Sequence, residues 1–154
     1  MEITIRKLTG GESAPMHLLL EADPEEKAIQ KYLHKSLIFL AEHKEQTAGV
    51  LVLVKRSSTS LEVMNLAVDE AFRGKGIAKK LLARAKMEGE TGGYAFLEIG
   101  TGNSSLDQLA LYQKCGFRMD GIIKNYFLDH YDKPIYENGI PCLDMVRLKM
   151  RLLS

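Results

Sequence analysis

The residues best suited to chemistry lie in a glycine-containing turn, Val68-Asp69-Glu70-Ala71-Phe72-Arg73-Gly74-Lys75-Gly76-Ile77-Ala78. Glycine lets a ligand approach the backbone, and the amphipathic helix predicted to follow would leave N–H groups in its first turn without intrahelical partners. Four cations accompany the turn: Arg73, Lys75, Lys79 and Lys80. Together with the helix dipole, these groups predict a binding site for phosphate or pyrophosphate.

The turn lacks the complete pattern of two well-known nucleotide loops. A P-loop requires G-x-x-x-x-G-K-[ST], but Lys75 is followed by Gly76 rather than by a hydroxyl residue. A dinucleotide-binding loop requires G-x-G-x-x-G, and Lys79 stands where the last glycine would be. A nucleotide-binding βαβ protein and a plain glycine turn before a surface helix stay open as alternatives.

Two segments resemble signatures of the GNAT acyltransferase superfamily. Arg73, Gly76 and Ala78 meet the acyl-CoA pattern [RQ]-x-x-G-x-[GA]. The segment Leu111-Tyr112-Gln113-Lys114-Cys115-Gly116-Phe117 is similar to the hallmark L-Y-x-K-x-G-F. The two motifs come in the family's order, and the resemblance spans essentially Ile3 to Met150.

The resemblance implies an α+β fold in three layers, with a mixed, mostly antiparallel sheet of six to seven strands and about four flanking helices. It also implies acetyl-CoA as cosubstrate, without a metal. The pyrophosphate would bind at the turn, and the pantetheine arm would pair with the preceding strand. The implied cofactor-binding residues are Leu66, Ala67, Val68, Arg73, Gly74, Lys75, Gly76, Ile77, Ala78 and, after the fifth strand, Asn103.

Family members commonly carry an asparagine seven residues before the motif tyrosine, where this chain has Ser105. The assignment of Asn103, two residues further back, therefore departs from the family pattern. Asparagine is also favoured in turns for local hydrogen bonding, so a turn or capping role is the alternative for Asn103.

The resemblance implies two catalytic residues. Tyr112 would protonate the departing thiolate of an N-acetyl transfer, and Glu62 would accept a proton from the acceptor amine, through water if necessary. The alternatives are a packed aromatic at Tyr112 and a solvated charge at Glu62. A non-catalytic acyl-CoA-binding module is the rival function, since a fold and its binding site can persist without chemistry.

The acceptor is predicted to be a primary amine on a small molecule or a peptide. Helices within residues 13–36 and a loop over residues 129–140 would shape its site, and the acids and aromatics of that loop favour a cationic acceptor. His130 in that loop could line the acceptor groove, or the loop could simply be polar. Apolar residues of the last strand could serve a homodimer or the core: Met145, Val146, Leu148 and Met150.

Hydrophobic periodicity predicts the elements that position these residues. Strands are expected over 2–8, 37–43, 48–55, 60–68, 94–99, 117–128 and 142–152, with helices within 13–36 and over 75–88 and 105–115. Asp23 followed by Pro24 predicts a capped helix start, and Ser105 to Gln108 predicts a capping box. Gly116 suits a left-handed helix end.

Composition predicts one globular domain over residues 1–154 with no cofactor needed for folding. A net charge of +1 gives no global field for nucleic acid or an anionic membrane, so neither is an expected partner. The chain carries neither a signal-peptide pattern nor a run long enough to span a bilayer, which favours a cytoplasmic location. Cys115 and Cys142 lack metal-ligand spacing and are predicted to be reduced thiols.

Overall fold

The computed structural model describes residues 1–152. These residues contain one 3-10 helix (Glu70–Phe72) and, besides it, nine strands and five α-helices. In order, they are β1 (Thr4–Lys7), α1 (Met16–Ala22), α2 (Glu26–Leu33), β2 (Leu37–His43), β3 (Gln46–Lys55), β4 (Ser60–Val68), α3 (Ile77–Thr91), β5 (Phe96–Gly102), α4 (Leu106–Lys114), β6 (Arg118–Ile123), α5 (Tyr126–His130), β7 (Tyr136–Glu137), β8 (Ile140–Pro141) and β9 (Met145–Arg151).

Seven of the strands form one twisted sheet in the order β1-β2-β3-β4-β5-β9-β6. Every pair in this sheet is antiparallel except β4 with β5, which is parallel. Helices α1 and α2 cover one face through Leu18, Leu19 and Ile29. Helix α3 covers the other face, where Leu81 and Ala85 are fully buried. The structure therefore confirms the predicted three layers.

A β-bulge in β4 determines which side chains face each layer. Leu53 of β3 pairs with Val63, but its neighbour Val52 pairs with Asn65, so Met64 is an extra residue in β4. The extra residue reverses the alternation of the strand. Val63 before the bulge and Leu66 after it both pack on the α3 side, and the polar Asn65 faces α1 and α2.

The parallel pair β4 and β5 separates beyond the bulge. The two strands pair from Ser60 with Phe96 to Val63 with Ile99. Strand β4 then continues to Val68 beside β3, and β5 continues to Gly102 beside β9. The free edge of β4 and the end of β5 therefore diverge, and a cleft opens between them.

The predicted N-cap at Asp23 is wrong, whereas Ser105 occupies its predicted N-cap position in α4 without forming the predicted cap hydrogen bond. Helix α2 begins at Glu26 with Glu25 at the N-cap, and Asp23 instead lies after α1 as its C-cap. The hydroxyl of Ser105 makes no cap hydrogen bond and instead donates to Glu137 at 2.7 Å. Each of these two side chains forms a hydrogen bond with a residue distant in sequence, Asp23 with Tyr131 and Ser105 with Glu137. At the end of α4, by contrast, Gly116 has a φ of +106°, which confirms the left-handed helix end.

The predicted strand over 117–128 is too long. It ends at Ile123, and Asn125 with a φ of +62° turns the chain into the short helix α5. The long polar connection also contains the small hairpin of β7 and β8. Strand β9 then inserts between β5 and β6, which brings the α5 region back over the cleft.

Candidate functional site

The glycine turn presents unpaired backbone donors at the start of α3. Gly74 and Gly76 have φ values of +77° and +78°, and Gly76 is the N-cap residue of the helix. Lys80 donates the first backbone hydrogen bond of the helix, to Gly76 at 3.2 Å. Within residues 1–152, the N–H groups from Gly74 to Lys79 donate to no backbone oxygen. A helix terminus of this kind favours an anion.

The turn also lines a small cavity of about 250 Å³, which is bounded by Val68, by the turn itself and by Leu111 of α4. A Cβ built at Gly74 or Gly76 would meet no atom within 4 Å, so the space above the turn is open. The cavity thus has room for a group bound to the N–H donors. These features fit the diphosphate of a coenzyme A molecule.

Arg73 is held by protein groups rather than left free. Its Nε donates to the carbonyl of Val68 at 3.1 Å, and its guanidinium forms an ion pair with Glu21 of α1. Lys75 and Lys79 are exposed beside the turn. The positive charge most available to a bound phosphate therefore comes from the lysines and the helix terminus.

A larger cleft of about 580 Å³ lies where β4 and β5 diverge. Strand residues 62–66 and 99–102 form its floor, and residues from 21–35 and 126–142 form its walls. The latter segments confirm the prediction that the early helices and the late loop flank one groove, and His130 is among the lining residues. Leu66 lines this cleft and Val68 lines the smaller cavity, so the end of β4 connects the two.

Tyr112 lies on α4 at the wall of the large cleft. Its side chain is only 5% exposed and its ring lies 6.0 Å from that of Phe117. Burial raises the pKa of the Tyr112 hydroxyl, so the group stays protonated at every physiological pH. A neutral phenol at the wall of the cleft can donate a proton to a leaving group.

Glu62 lies on the cleft floor in an ion-pair network. One carboxylate oxygen accepts from Arg56 at 2.9 Å and the other from Arg147 of β9 at 2.8 Å. Glu98 on the neighbouring strand shares both arginines, at 3.6 and 3.4 Å. Glu62 is 7% exposed, and each of its oxygens keeps a further lone pair for water or an amine. The role of proton acceptor stays a prediction.

Asn103 connects the end of β5 to the segment before β9. Its Oδ1 accepts from the N–H groups of Leu143 and Asp144 at 2.9 and 3.0 Å, and its Nδ2 donates to Pro141 at 3.1 Å. These contacts give Asn103 a local structural role and occupy its amide. Its contact with coenzyme A stays a prediction.

Sequence reasoning placed the segments of Asp23, Tyr32 and Tyr131 at the acceptor site but missed Asn65 and Tyr126, which complete a polar group at one end of the cleft. Asp23, Tyr32, Asn65, Tyr126 and Tyr131 all line it. Burial raises the pKa of Asp23, although a hydrogen bond from Tyr131 at 2.8 Å acts in the opposite direction. Burial also raises the pKa of Tyr32 to about 12. The one available signal was Asn65, a polar residue at the centre of an otherwise apolar strand.

Residues 1–152 contain neither a candidate metal site nor a helix suited to crossing a membrane. The described part of the chain has no cluster of three or more histidine, cysteine or acidic side chains placed to hold a metal ion. No helix within it is both long enough and apolar enough to cross a membrane.

Comparison with known proteins assigns the class to which this fold and cleft belong. The family described as "Acetyltransferase (GNAT) domain" matches residues 34–119, which is more than half of the chain. The chain therefore belongs to the GNAT acetyltransferase family.

Individual relatives cover nearly the whole chain. The "uncharacterized N-acetyltransferase YvbK" of Bacillus subtilis is 46% identical over 135 residues, which are 88% of this chain and 87% of that protein. A crystal structure of a GNAT family acetyltransferase from Elizabethkingia anophelis with acetyl-CoA bound is 44% identical and has a TM-score of 0.95, covering 97% and 98% of the two chains. A Bacillus subtilis acetyltransferase in complex with CoA is 43% identical, with a TM-score of 0.90 and coverage of 97% and 100%.

Proposed function

We propose that this acetyltransferase transfers the acetyl group of acetyl-CoA directly to a primary amine while both substrates are bound. The observation that carries the proposal is the connection between the two cavities. The donor-rich turn lies in the smaller one, Tyr112 lies in the larger one, and the free edge of β4 runs between them. The relatives crystallised with acetyl-CoA or CoA support the choice of cosubstrate.

The residues present fit coenzyme A. Backbone N–H groups of Gly74, Lys75, Gly76, Ile77 and Ala78 would hold the pyrophosphate, and lysines beside the turn would add positive charge. The Arg73 N–H, which the sequence also predicted as a donor, instead donates to the carbonyl of Glu70 at 3.4 Å. Beyond Val63 one edge of β4 has no strand partner among the described residues, so Leu66, Ala67 and Val68 would pair with the pantetheine amides. Acetyl-CoA supplies an acetyl group already activated as a thioester.

The proposed chemistry requires three functions from the chain. A neutral amine attacks the acetyl carbonyl carbon, and a backbone N–H of β4 between Leu66 and Val68 stabilises the negative charge that develops on the carbonyl oxygen. As the C–S bond breaks, the Tyr112 hydroxyl gives its proton to the thiolate. Glu62 accepts the proton lost by the amine, through water that reaches a free lone pair beside Arg56 or Arg147.

The reaction is tested by measuring CoA release with a panel of primary amines. Acetylation of at least one amine is expected, with both substrates required before either product appears. Tight binding of acetyl-CoA without turnover of any amine would instead support the binding-only module. Tighter binding of ATP or NAD than of CoA in calorimetry would support the nucleotide-binding alternative.

We also propose a homodimer, but through β6 rather than through the apolar residues of β9. Val146, Leu148 and Met150 are buried in the core. Strand β6 is one of the two outer strands of the sheet, and its Met119, Ile122 and Ile123 are 57%, 63% and 42% exposed. An apolar sheet edge of this kind favours pairing with another strand.

A cytoplasmic location is a further part of the proposal. Cys115 and Cys142 are both free thiols, and free thiols persist in reducing compartments.

A further inference from the structure

One end of the large cleft gathers polar side chains, and one of them, Asn65, has a buried oxygen without a hydrogen-bond donor among residues 1–152. The group consists of Asp23, Tyr32, Asn65, Tyr126 and Tyr131, and we call it the Asp23 cluster. Its members come from the α1–α2 connection, from α2, from β4, and from α5 with the residue after it. The cluster is adjacent to the catalytic region, because it lines the same cleft as Glu62 and Tyr112.

Asn65 is the buried member of the cluster, at 3% exposure. Its Nδ2 donates to the carbonyl of Leu19 at 3.0 Å and to the hydroxyl of Tyr32 at 3.1 Å. Because the Leu19 carbonyl can only accept, these contacts fix which end of the amide is the oxygen. The buried Oδ1 of Asn65 has no donor among residues 1–152. A buried carbonyl oxygen without a donor is costly, so this atom is suited to a ligand N–H.

Asp23 is the charged member of the cluster. Its Oδ1 accepts a hydrogen bond from Tyr131 at 2.8 Å. Among the residues that the structure describes, no lysine, arginine or histidine lies within ion-pair distance of its carboxylate. Lys31 of α2 and Lys35 just after this helix line the cleft, while Glu62 is neutralised by Arg56 and Arg147. Asp23 is thus a partly buried carboxylate without a countercharge.

Several contacts fix the position of the cleft wall formed by the α1–α2 connection, which contains Asp23. Besides the Tyr131 hydrogen bond, the N–H of Asp132 donates to Glu25 at 2.9 Å, and Lys27 pairs with Asp132 at 2.6 Å. These contacts join the α1–α2 connection to the segment after α5. Asp23 and Tyr131 therefore face the cleft as a preorganised pair.

We propose that the Asp23 cluster binds a positively charged group of the acceptor other than the reacting amine, so that the preferred acceptor carries two basic groups. An ammonium supplies three N–H donors and a positive charge, which match the Asn65 and Asp23 oxygens and the tyrosine hydroxyls. A guanidinium has the same donor chemistry. This inference rests on the proposed function, because it specifies the acceptor of the same cleft.

The bound group and the reacting amine must differ for a chemical reason. A carboxylate beside an ammonium stabilises its protonated form, whereas attack on a thioester requires a neutral amine. The group at Asp23 therefore stays protonated and anchors the acceptor. The second amine is then directed toward Tyr112, Glu62 and the free edge of β4.

The test compares linear diamines, from diaminopropane to diaminohexane, with monoamines of the same length. At the best length, kcat/KM for the diamine is expected to exceed that for the monoamine by about tenfold to a hundredfold, mainly through KM, as for a charged hydrogen bond. Asp23→Asn should remove this preference, chiefly by raising KM for the diamine. Glu137→Gln, which removes a charge from the cleft wall outside the cluster, should keep the preference.

Three outcomes would overturn the inference: equal kcat/KM for diamines and monoamines in the native enzyme, equal loss of kcat for both in Asp23→Asn, or equal loss of the preference in Glu137→Gln. Calorimetry of diaminopentane and pentylamine with the native protein–CoA complex needs no variant, and equal affinities there would also overturn it. Failure of the proposed function gives a distinct result, since no amine of either series would then be acetylated despite binding of acetyl-CoA.

Discussion

The hydroxyl oxygen of Tyr112 is expected to affect the rate of acetyl transfer and not the affinity for acetyl-CoA. We predict that Tyr112→Phe lowers kcat by about a hundredfold, because the thiolate would lose its positioned proton donor. The ring would keep its packing against Phe117, so the affinity for acetyl-CoA should stay within about twofold of the native value. Steady-state kinetics and calorimetry measure the two effects.

Tyr94→Phe is the matched control, because Tyr94 packs against the same core without lining either cavity. Unchanged kcat in Tyr112→Phe would remove Tyr112 from the mechanism. The raised pKa of Tyr112 adds a pH expectation: its ionisation should cause no loss of kcat up to at least pH 10, its ordinary pKa.

Glu62 and Glu98 allow a proton acceptor to be distinguished from an ion-pair partner. Both carboxylates pair with Arg56 and Arg147, but only Glu62 lines the cleft. We predict that Glu62→Gln lowers kcat/KM by about a hundredfold near neutral pH. The loss should shrink toward the pKa of the amine, near pH 10, because the amine is then already neutral.

Glu98→Gln should retain most of the activity, as measured by kcat/KM across the same pH range. Equal losses in the two variants would mean that the arginine network, and not a proton acceptor at Glu62, is what the reaction requires.

At the level of secondary-structure elements, the glycine turn and helix α3 act together. Gly76 has a φ of +78° and open space above it. We predict that Gly76→Ala lowers stability by about 1 kcal/mol, because L residues are strained at positive φ. The added methyl group would also stand above the N–H donors, so the Kd for CoA should rise by about tenfold.

Gly93 provides a control with the same backbone strain. Its φ is +77° and its Cβ would also meet no atom within 4 Å, but it lies beyond the other end of α3. Gly93→Ala should lose similar stability in chemical denaturation and keep its affinity for CoA. Equal affinities in the two variants would place the diphosphate elsewhere.

At the level of the whole molecule, buried phenols couple stability to alkaline pH. Burial raises the pKa of Tyr32 to about 12, above the ordinary 10.0 of the unfolded chain. The unfolded state therefore loses this proton first. The stabilisation is complete below pH 10 and is lost as pH rises from 10 to about 12.

We predict that the free energy of unfolding falls over this range, by on the order of 2 kcal/mol from Tyr32. Urea titrations of the native protein and of Tyr32→Phe should show a shallower fall in the variant. Tyr136→Phe, at a 69% exposed tyrosine, should leave the slope unchanged. The same slope in Tyr32→Phe would contradict the assignment.

The proposed dimer is also a property of the whole molecule. We predict that the native protein sediments as a dimer and that Ile122→Lys raises its dissociation constant by about a hundredfold, since a charge would enter an apolar strand edge. Met87→Lys, which adds the same charge at an exposed apolar position of α3, should remain dimeric. A native monomer would refute the proposal.

The parts of the fold that the sequence predicted correctly depend on patterns among residues close together in the chain. The helix after Gly76 was predicted because its apolar residues follow a helical period, and Gly116 because glycine tolerates positive φ. The predicted cap at Asp23 and the predicted cap hydrogen bond of Ser105 did not form, and those side chains instead pair with Tyr131 and Glu137. Hydrogen bonds between residues distant in the chain produce no periodic pattern in the sequence, so they could not be predicted from it.

The sequence by itself determined the family, the glycine turn and the position of the motif tyrosine, since each depends on residues close together in the chain. Only the tertiary structure decided the shape of the cleft and the state of its charges. The bulge at Met64 reverses the alternation of β4, so that the Asn65 side chain faces α1 and α2. Arg147 reaches Glu62 across 85 residues and Tyr131 reaches Asp23 across 108, because chain folding and not sequence spacing brings those groups together.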